Sequence, residues 1–330
     1  MNTTKPIWKD YVEYSSSDGE YRIYDENTNE LIYTGTATVM PYMDEAELYI
    51  NDVVRGKMNS AINLFPTTGY TGIVRQYILP IRIEMPDGET YYTKFRNDYS
   101  YQNALPLSNT NCISHPINNK LHPKQLFICS WFNDDEVENV NLNIAGVNRA
   151  IYANILNAGL NYTMGLSNYN FANRNDITLE FTGDTIQYRV MDCTNSNYVL
   201  YYKNAYGGWD SFVIEGNVVR SDKISNSSYR KFYLNNRIKG NKQSANLVNY
   251  LTTIQPSYTM YTHYMRDEES LRMHHLLESN EVYLHIIDED MIYPILITDK
   301  TVDYQSYTNN GKKMVQYVIH AETSQREFRR

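Results

Sequence analysis

Tyr201-Tyr202-Lys203-Asn204-Ala205-Tyr206-Gly207-Gly208-Trp209-Asp210-Ser211-Phe212 is the stretch on which the fold turns. Five aromatic side chains flank a Gly-Gly pair that reaches positive φ without steric cost, so the chain reverses there between two aromatic strands. Such a hairpin builds sheet surface and packs sheets together. A catalytic loop that brings two glycines close to its working groups usually also carries a nucleophile, a base or a phosphate cradle, and Ser211 and Asp210 have no His near them in sequence. The reading that follows is a mainly β structural protein and not an enzyme.

The composition around this hairpin agrees with it. The 330 residues include 32 Tyr against 9 Phe and 3 Trp, together with 37 Asn, a mixture suited to half-exposed strands, turns and wet interfaces. Tyrosine-laden sheets of this kind are expected to be covered by sister copies of the chain. The formal net charge of −8 argues against a general nucleic-acid coat. Charge is nevertheless uneven: Arg220, Lys223, Arg230, Lys231, Arg237, Lys239 and Lys242 face a single acid, Asp222, between 220 and 242. That segment reads as a solvated loop and strand face or as a basic rim meeting DNA or an acidic neighbour. Cys112, Cys129 and Cys193 are odd in number, with no Cys-x-x-Cys spacing, and are expected as buried thiols. With no apolar leader at Met1–Pro6 and no apolar run approaching a membrane span, the expectation is a soluble protein made in a reducing cytosol, with no membrane contact.

Alternating runs predict strands at Tyr21–Tyr24, Leu31–Thr34 and Thr36–Met40, with Asp25–Glu30 as the turn between the first two. Glu45–Arg55 alternates and ends in a short piece with room for one helical turn. Ile78–Met85 and Tyr91–Phe95 form a hairpin about Pro86-Asp87-Gly88-Glu89. A loop rich in Asn, Pro, Ser and His occupies Leu105–Lys124. Strands follow at Leu126–Phe132, Ile177–Phe181 and Ile186–Met191, then a helix at Arg266–Glu278 with acids in its first turn, then strands at Val282–Ile287, Met291–Thr298 and Met314–Ala321 with Asn309–Lys312 as a turn. The expected architecture is multi-domain antiparallel β-sandwiches with a small C-terminal α+β module: an N-terminal β domain at 1–104, a linker or long loop at 105–125, a middle β-sandwich at 126–258 and a helix-plus-sheet module at 259–330.

No constellation of reactive residues rises above its structural explanation. His274-His275 are adjacent, so they point about 100° apart on a helix, whereas a zinc pair needs histidines one turn apart; one is expected inward and one toward the edge. His115 and His122 stand at loose spacing from Cys112 and Cys129. Asp134-Asp135-Glu136 and Asp288-Glu289-Asp290 lack the glycine and the alternation of a calcium loop, and the second reads as a hairpin tip. A glycosidase needs two carboxylates set by tertiary structure, and nothing in the sequence singles out a pair. Phosphate-loop, dinucleotide and serine-nucleophile motifs are absent from the sequence. No catalytic, cofactor-binding or metal-ligating residue is therefore assigned, and no cofactor is expected.

Several short motifs in fixed order carry a resemblance. They are Tyr33-Thr34-Gly35, Glu47-Leu48-Tyr49-Ile50-Asn51-Asp52-Val53-Val54-Arg55, Phe95-Arg96-Asn97-Asp98-Tyr99-Ser100-Tyr101, Tyr201–Asn204 with Gly207–Asp210, and Leu276-Leu277-Glu278-Ser279-Asn280-Glu281-Val282-Tyr283-Leu284. In that order, from about residue 20 onward, the chain resembles virion proteins of tailed phages and prophages of gut Bacteroidetes, including the crAss-like phages. Asp98-Tyr99-Ser100 departs from the Asp-Trp-Ser expected there. The resemblance implies a nonenzymatic structural subunit, a tail hub or tail-tube or connector protein forming a hexameric or dodecameric homo-oligomeric ring. It also implies neighbours among the tail, connector or portal-proximal proteins, a passing contact of Arg220–Lys242 with DNA, and a place in the virion tail after synthesis in the host bacterial cytoplasm. Two rivals make different demands. A receptor- or carbohydrate-binding tail protein needs an exposed aromatic groove, and a polysaccharide hydrolase needs a cleft with two facing carboxylates.

Overall fold

The computed structural model describes residues 6–7, 14–15, 17–39, 42, 46–48, 50, 53–54, 56–57, 72–76, 78–96, 119–133, 139–144, 147–153, 160–166, 176–181, 184–191, 196–204, 208–230, 247–299, 307–309, 312–324 and 327–329. They form a mainly β protein of several antiparallel sheets, in keeping with a β-sandwich class. The chain separates into two compact units interleaved along the sequence: Met1–Thr194 with Tyr201–Val213 and Arg272–Ser279, and Asn195–Leu200 with Ile214–Leu271 and Asn280–Arg330. The segment 126–258 thus contributes to both units, and the helix Asp267–Glu278 passes from one to the other at Arg272.

In the first unit, a five-stranded sheet runs in the order Pro6–Ile7, Thr90–Arg96, Ile78–Glu84, Gly19–Asp25, Glu30–Ala37. Its strands alternate as a half-buried sheet requires. Tyr21, Ile23, Ile81 and Ile83 are buried, and pack with Ala46, Leu48, Ile50 and Val54. The amide of Val54 donates to the carbonyl of Ile50 at 3.1 Å, the single helical turn expected at the end of that run. Both predicted turns are built by side-chain acceptors. Asp25 Oδ1 accepts from the amides of Asn27 at 2.8 Å and Thr28 at 3.4 Å, and Asp87 Oδ1 accepts from Glu89 at 2.9 Å, beside Gly88 at φ 87°.

One expected break is absent. Leu31–Thr34 and Thr36–Ala37 form one strand through Gly35, which lies opposite Tyr21. A Cβ built on Gly35 would sit 2.4 Å from the Tyr21 ring, so the missing side chain makes room for that ring within the sheet and does not end the strand.

The same unit holds a sheet of Phe127–Asn133, Leu160–Leu166 and Gly72–Gln76. Another runs Val147–Ala153, Asn139–Ile144, Asp176–Phe181, Asp184–Val190, Asn119–Leu121. Asn119–Leu121 corrects the expected loop. It is a short strand parallel to Tyr188–Val190, because Leu121 is buried and its segment completes the sheet edge. The earlier part of that loop, 105–118, and the acidic run 134–138 lie outside the described residues.

The second unit is built on a sheet running from Tyr198 through Val282–Ile286, Met291–Asp299, Val318–Thr323 and Leu247–Tyr261 to Val218–Arg230, with Glu327–Arg329 also paired to Leu247–Tyr261. Here the expected strand Met314–Ala321 is two strands, Lys312–Val315 and Val318–Thr323, in different sheets. Thr262 holds the break. It exchanges both backbone bonds' worth of partners with Tyr317: its amide donates to the Tyr317 carbonyl at 3.0 Å and its hydroxyl accepts from the Tyr317 amide at 2.9 Å, while Gln316 Nε2 donates to the Thr262 carbonyl at 2.9 Å. Asp288–Asp290 forms the expected hairpin tip, with Asp290 at φ 49°.

Candidate interaction surface

The aromatic hairpin forms as read, with strands Tyr198–Lys203 and Trp209–Val213 adjacent and the Asn204 amide donating to the Gly208 carbonyl at 2.8 Å. Its rings are placed differently from expectation. Tyr201, Tyr202, Trp209 and Phe212 are all buried within this single chain, so this part of the tyrosine-rich sheet is core and not a contact surface for sister copies. Burial is helped by hydrogen bonds to many of its polar groups. The Tyr201 hydroxyl donates to the Leu126 carbonyl at 3.1 Å, and the Tyr202 hydroxyl donates to the Arg272 carbonyl at 3.4 Å. Ser130 Oγ accepts from the Trp209 amide at 2.8 Å, and Gln125 Nε2 donates to Ser211 Oγ at 3.0 Å. Asn204 accepts from the Gly208 amide and donates to Asp210 at 2.8 Å.

Burial raises the pKa of the Tyr201 phenol far above its ordinary value, and that of Tyr202 as well, so both stay protonated donors. Arg272, on the helix, donates to the Ser211 carbonyl and lies 5.9 Å over the Phe212 ring. Burial opposes its charge, but Tyr202, Asp210 and Tyr188 outweigh that and keep its pKa raised. These bonds and the Arg272–Phe212 contact lock the packing of the hairpin.

The opposite situation holds in the ribbon formed by Val218–Arg230 and Leu247–Tyr261, thirteen and fifteen residues long, of which the sequence indicated only a solvated loop and strand face from Arg220 onward. Near its base, alternate residues Pro256, Tyr258 and Met260 are buried, as on a sheet with one covered face. Farther out the alternation disappears. Between 219 and 230 every residue except Ser227 is exposed, including Ile224 at 61%, and Leu247 and Tyr250 are more than half exposed. Opposed residues share a face, so Ile224 stands over Ile254. A bulge between Ser227 and Ser228 leaves Tyr250 without an opposite residue and sets its ring 6.1 Å from that of Tyr229. Among the described residues Val218–Arg230 is also the last strand of its sheet, with no strand paired to its outer edge. Arg220, Lys223 and Arg230 lie on this exposed strand, while Lys231, Arg237, Lys239 and Lys242 fall outside the described residues. The polar run Ser221, Ser225–Ser228 was the available signal for a strand with no buried face; the reading for alternation passed over it.

The remaining candidates stay ordinary. His275 is buried and His274 half-buried, as expected of adjacent helical histidines. His122 is buried and caps a turn: its Nδ1 accepts from the Lys124 amide at 3.1 Å and its own amide donates to Gln125 Oε1 at 2.8 Å. Cys129 is a buried free thiol, whereas His115, Cys112 and Cys193 lie outside the described residues. Among the described residues no group of three His, Cys, Asp or Glu side chains is placed to hold a metal ion, and no helix is long and apolar enough to cross a membrane. A groove of about 420 Å³ in the second unit combines Tyr283 with Asn280, Glu281, Gln255 and Glu322.

No protein-family model matches the chain, and no curated protein matches it. Among solved structures, SGBP-B of the Bacteroides ovatus mixed-linkage glucan utilization locus, solved in complex with a mixed-linkage heptasaccharide, is similar at 11% identity over 92% of this chain and 70% of that one, with a TM-score of 0.19. Likeness at that level carries no argument about fold or function.

Proposed function

We propose that this chain is a nonenzymatic structural subunit of a tailed-phage virion, a tail hub or tail-tube or connector protein that assembles with copies of itself into a ring. The order of short motifs in the sequence supports the virion class. The observation that carries self-assembly is the two-faced exposure of the ribbon Val218–Arg230 with Leu247–Tyr261: an open sheet edge with apolar and aromatic side chains on it is a liability unless a partner covers it. In this reading the protein is made in the host bacterial cytoplasm and resides in the tail. Negative-stain imaging and mass photometry of the purified full chain test it, with closed rings of hexameric or dodecameric mass expected. A particle that stays monomeric at every concentration overturns it.

The groove at Tyr283 favours one second reading, a carbohydrate-binding tail protein. A tyrosine ring beside carboxylate and amide side chains matches the apolar face and hydroxyl rim of a sugar. Affinity electrophoresis against soluble polysaccharides decides for it if migration is retarded and Tyr283→Ala abolishes the retardation.

A further inference from the structure

We propose that the ribbon Val218–Arg230 with Leu247–Tyr261 is an assembly arm that seats on the acidic five-stranded sheet of a second copy of this chain, in a head-to-tail contact. The inference rests on the self-assembly reading above and adds the two surfaces and their polarity.

Charge selects the occupant. The two strands of the arm, 218–230 and 247–261, hold three bases and one acid, a formal +2, in a chain whose total is −8, so everything else carries −10. The acids are dense on the sheet containing Gly19–Asp25, Glu30–Ala37, Ile78–Glu84 and Thr90–Arg96: residues 17–39 and 78–96 contain eight acids and four bases, a formal −4. Glu20, Glu26, Glu30, Asp87 and Glu89 are exposed there. Glu30–Ala37 is the outer strand of that sheet and presents Leu31 at 49% and Tyr33 at 37% exposure beside the acids. It therefore offers an open edge and apolar contacts as well as charge. Two basic arms repel each other, which disfavours arm-to-arm pairing about a two-fold axis. A contact between two different patches instead propagates from copy to copy and closes into a ring when the rotation allows.

Size and composition are adequate. Thirteen residues of strand extend about 40 Å, and two paired strands are about 10 Å across, so each face offers on the order of 400 Å² and both together about 800 Å². That is roughly one partner's share of a standard stable interface. The tilted ring pair Tyr229 and Tyr250, beside Arg230, supplies residue types enriched among binding hot spots, and Ile224 adds an apolar contact nearer the base.

The test is sedimentation velocity of the full chain at low and high salt, with circular dichroism checking that each variant is folded. Three variants are compared with wild type: Tyr229→Ser with Tyr250→Ser; the arm reversal Arg220→Glu, Lys223→Glu and Arg230→Glu; and the receiver reversal Glu20→Lys, Glu26→Lys and Glu30→Lys. Each alone should weaken assembly by about 30-fold or more, the equivalent of a hot-spot loss. The two reversals combined in one chain should restore it, since arm and receiver then exchange signs together. If wild type assembles and the arm variants assemble equally well, the arm assignment is overturned while self-assembly stands. If the arm reversal leaves assembly intact but removes retention of duplex DNA, the arm serves nucleic acid and the proposal is overturned. If wild type never assembles, the self-assembly reading fails and the arm falls with it.

Discussion

Two antiparallel ribbons follow one another in this chain, separated by only a few residues. The first, Tyr198–Lys203 with Trp209–Val213, has nearly every described side chain buried; its hydroxyls, the Trp209 amide and the Ser211 carbonyl are tied to Leu126, Ser130, Gln125 and Arg272, and its Asp210 carboxylate to Asn204. The second, Val218–Arg230 with Leu247–Tyr261, also carries tyrosines, yet Tyr229 and Tyr250 stand in solvent at 47% and 59% exposure. An aromatic residue on a strand is therefore not evidence of an interface. What separates core from contact surface is whether other elements supply partners for its polar groups and cover both faces.

The contrast is broken most forcefully at Trp209. Trp209→Ala removes a ring that is 1% exposed and should lower stability by about 3–5 kcal/mol, read from urea denaturation. An effect under about 1 kcal/mol would mean that the first hairpin is not core. The foot of the second ribbon is the next place to probe. A Cβ on Gly216 would lie 2.1 Å from the carbonyl oxygen of Tyr261, backbone that cannot swing aside, so Gly216→Ala should cost about 1–3 kcal/mol and displace the ribbon base. Thermal melting with limited proteolysis checks both parts of that expectation.

The sheet that carries the ribbon has a pH signature. His285 is 4% exposed, and burial lowers its pKa below the ordinary 6.5, although Asp290, 3.7 Å away, pulls the other way. A lowered histidine pKa means that the unfolded chain binds the proton more readily. Its stabilisation is fully present above 6.5 and is lost as pH falls through the lower folded value. Denaturation midpoints should drop between about pH 7.5 and about pH 5.5, and His285→Gln should flatten part of that drop. Tyr250→Ser sits at the small end. Its ring is exposed and unpaired in register, so monomer stability should change by no more than about 0.5 kcal/mol while assembly suffers, the reverse of Trp209→Ala.

Much of this was legible in the chain itself. Asp25–Glu30, Pro86–Glu89 and Asp288–Asp290 each fix a turn by local chemistry, and the acids opening the helix mark its start, because φ preference and side-chain capping act over a few residues. Local patterning also gave the mainly β class. It misjudged Gly35 as a break, because the Tyr21 ring that needs the space comes from another strand, and it joined Met314–Ala321 through a point that Thr262 holds apart from more than fifty residues away.

Which tyrosines are buried, which ribbon lies open and where the basic strand and the acidic sheet fall were decided only by the tertiary structure. Burial depends on elements distant in sequence arriving on both faces with matching donors and acceptors, and no window of neighbouring residues contains that information.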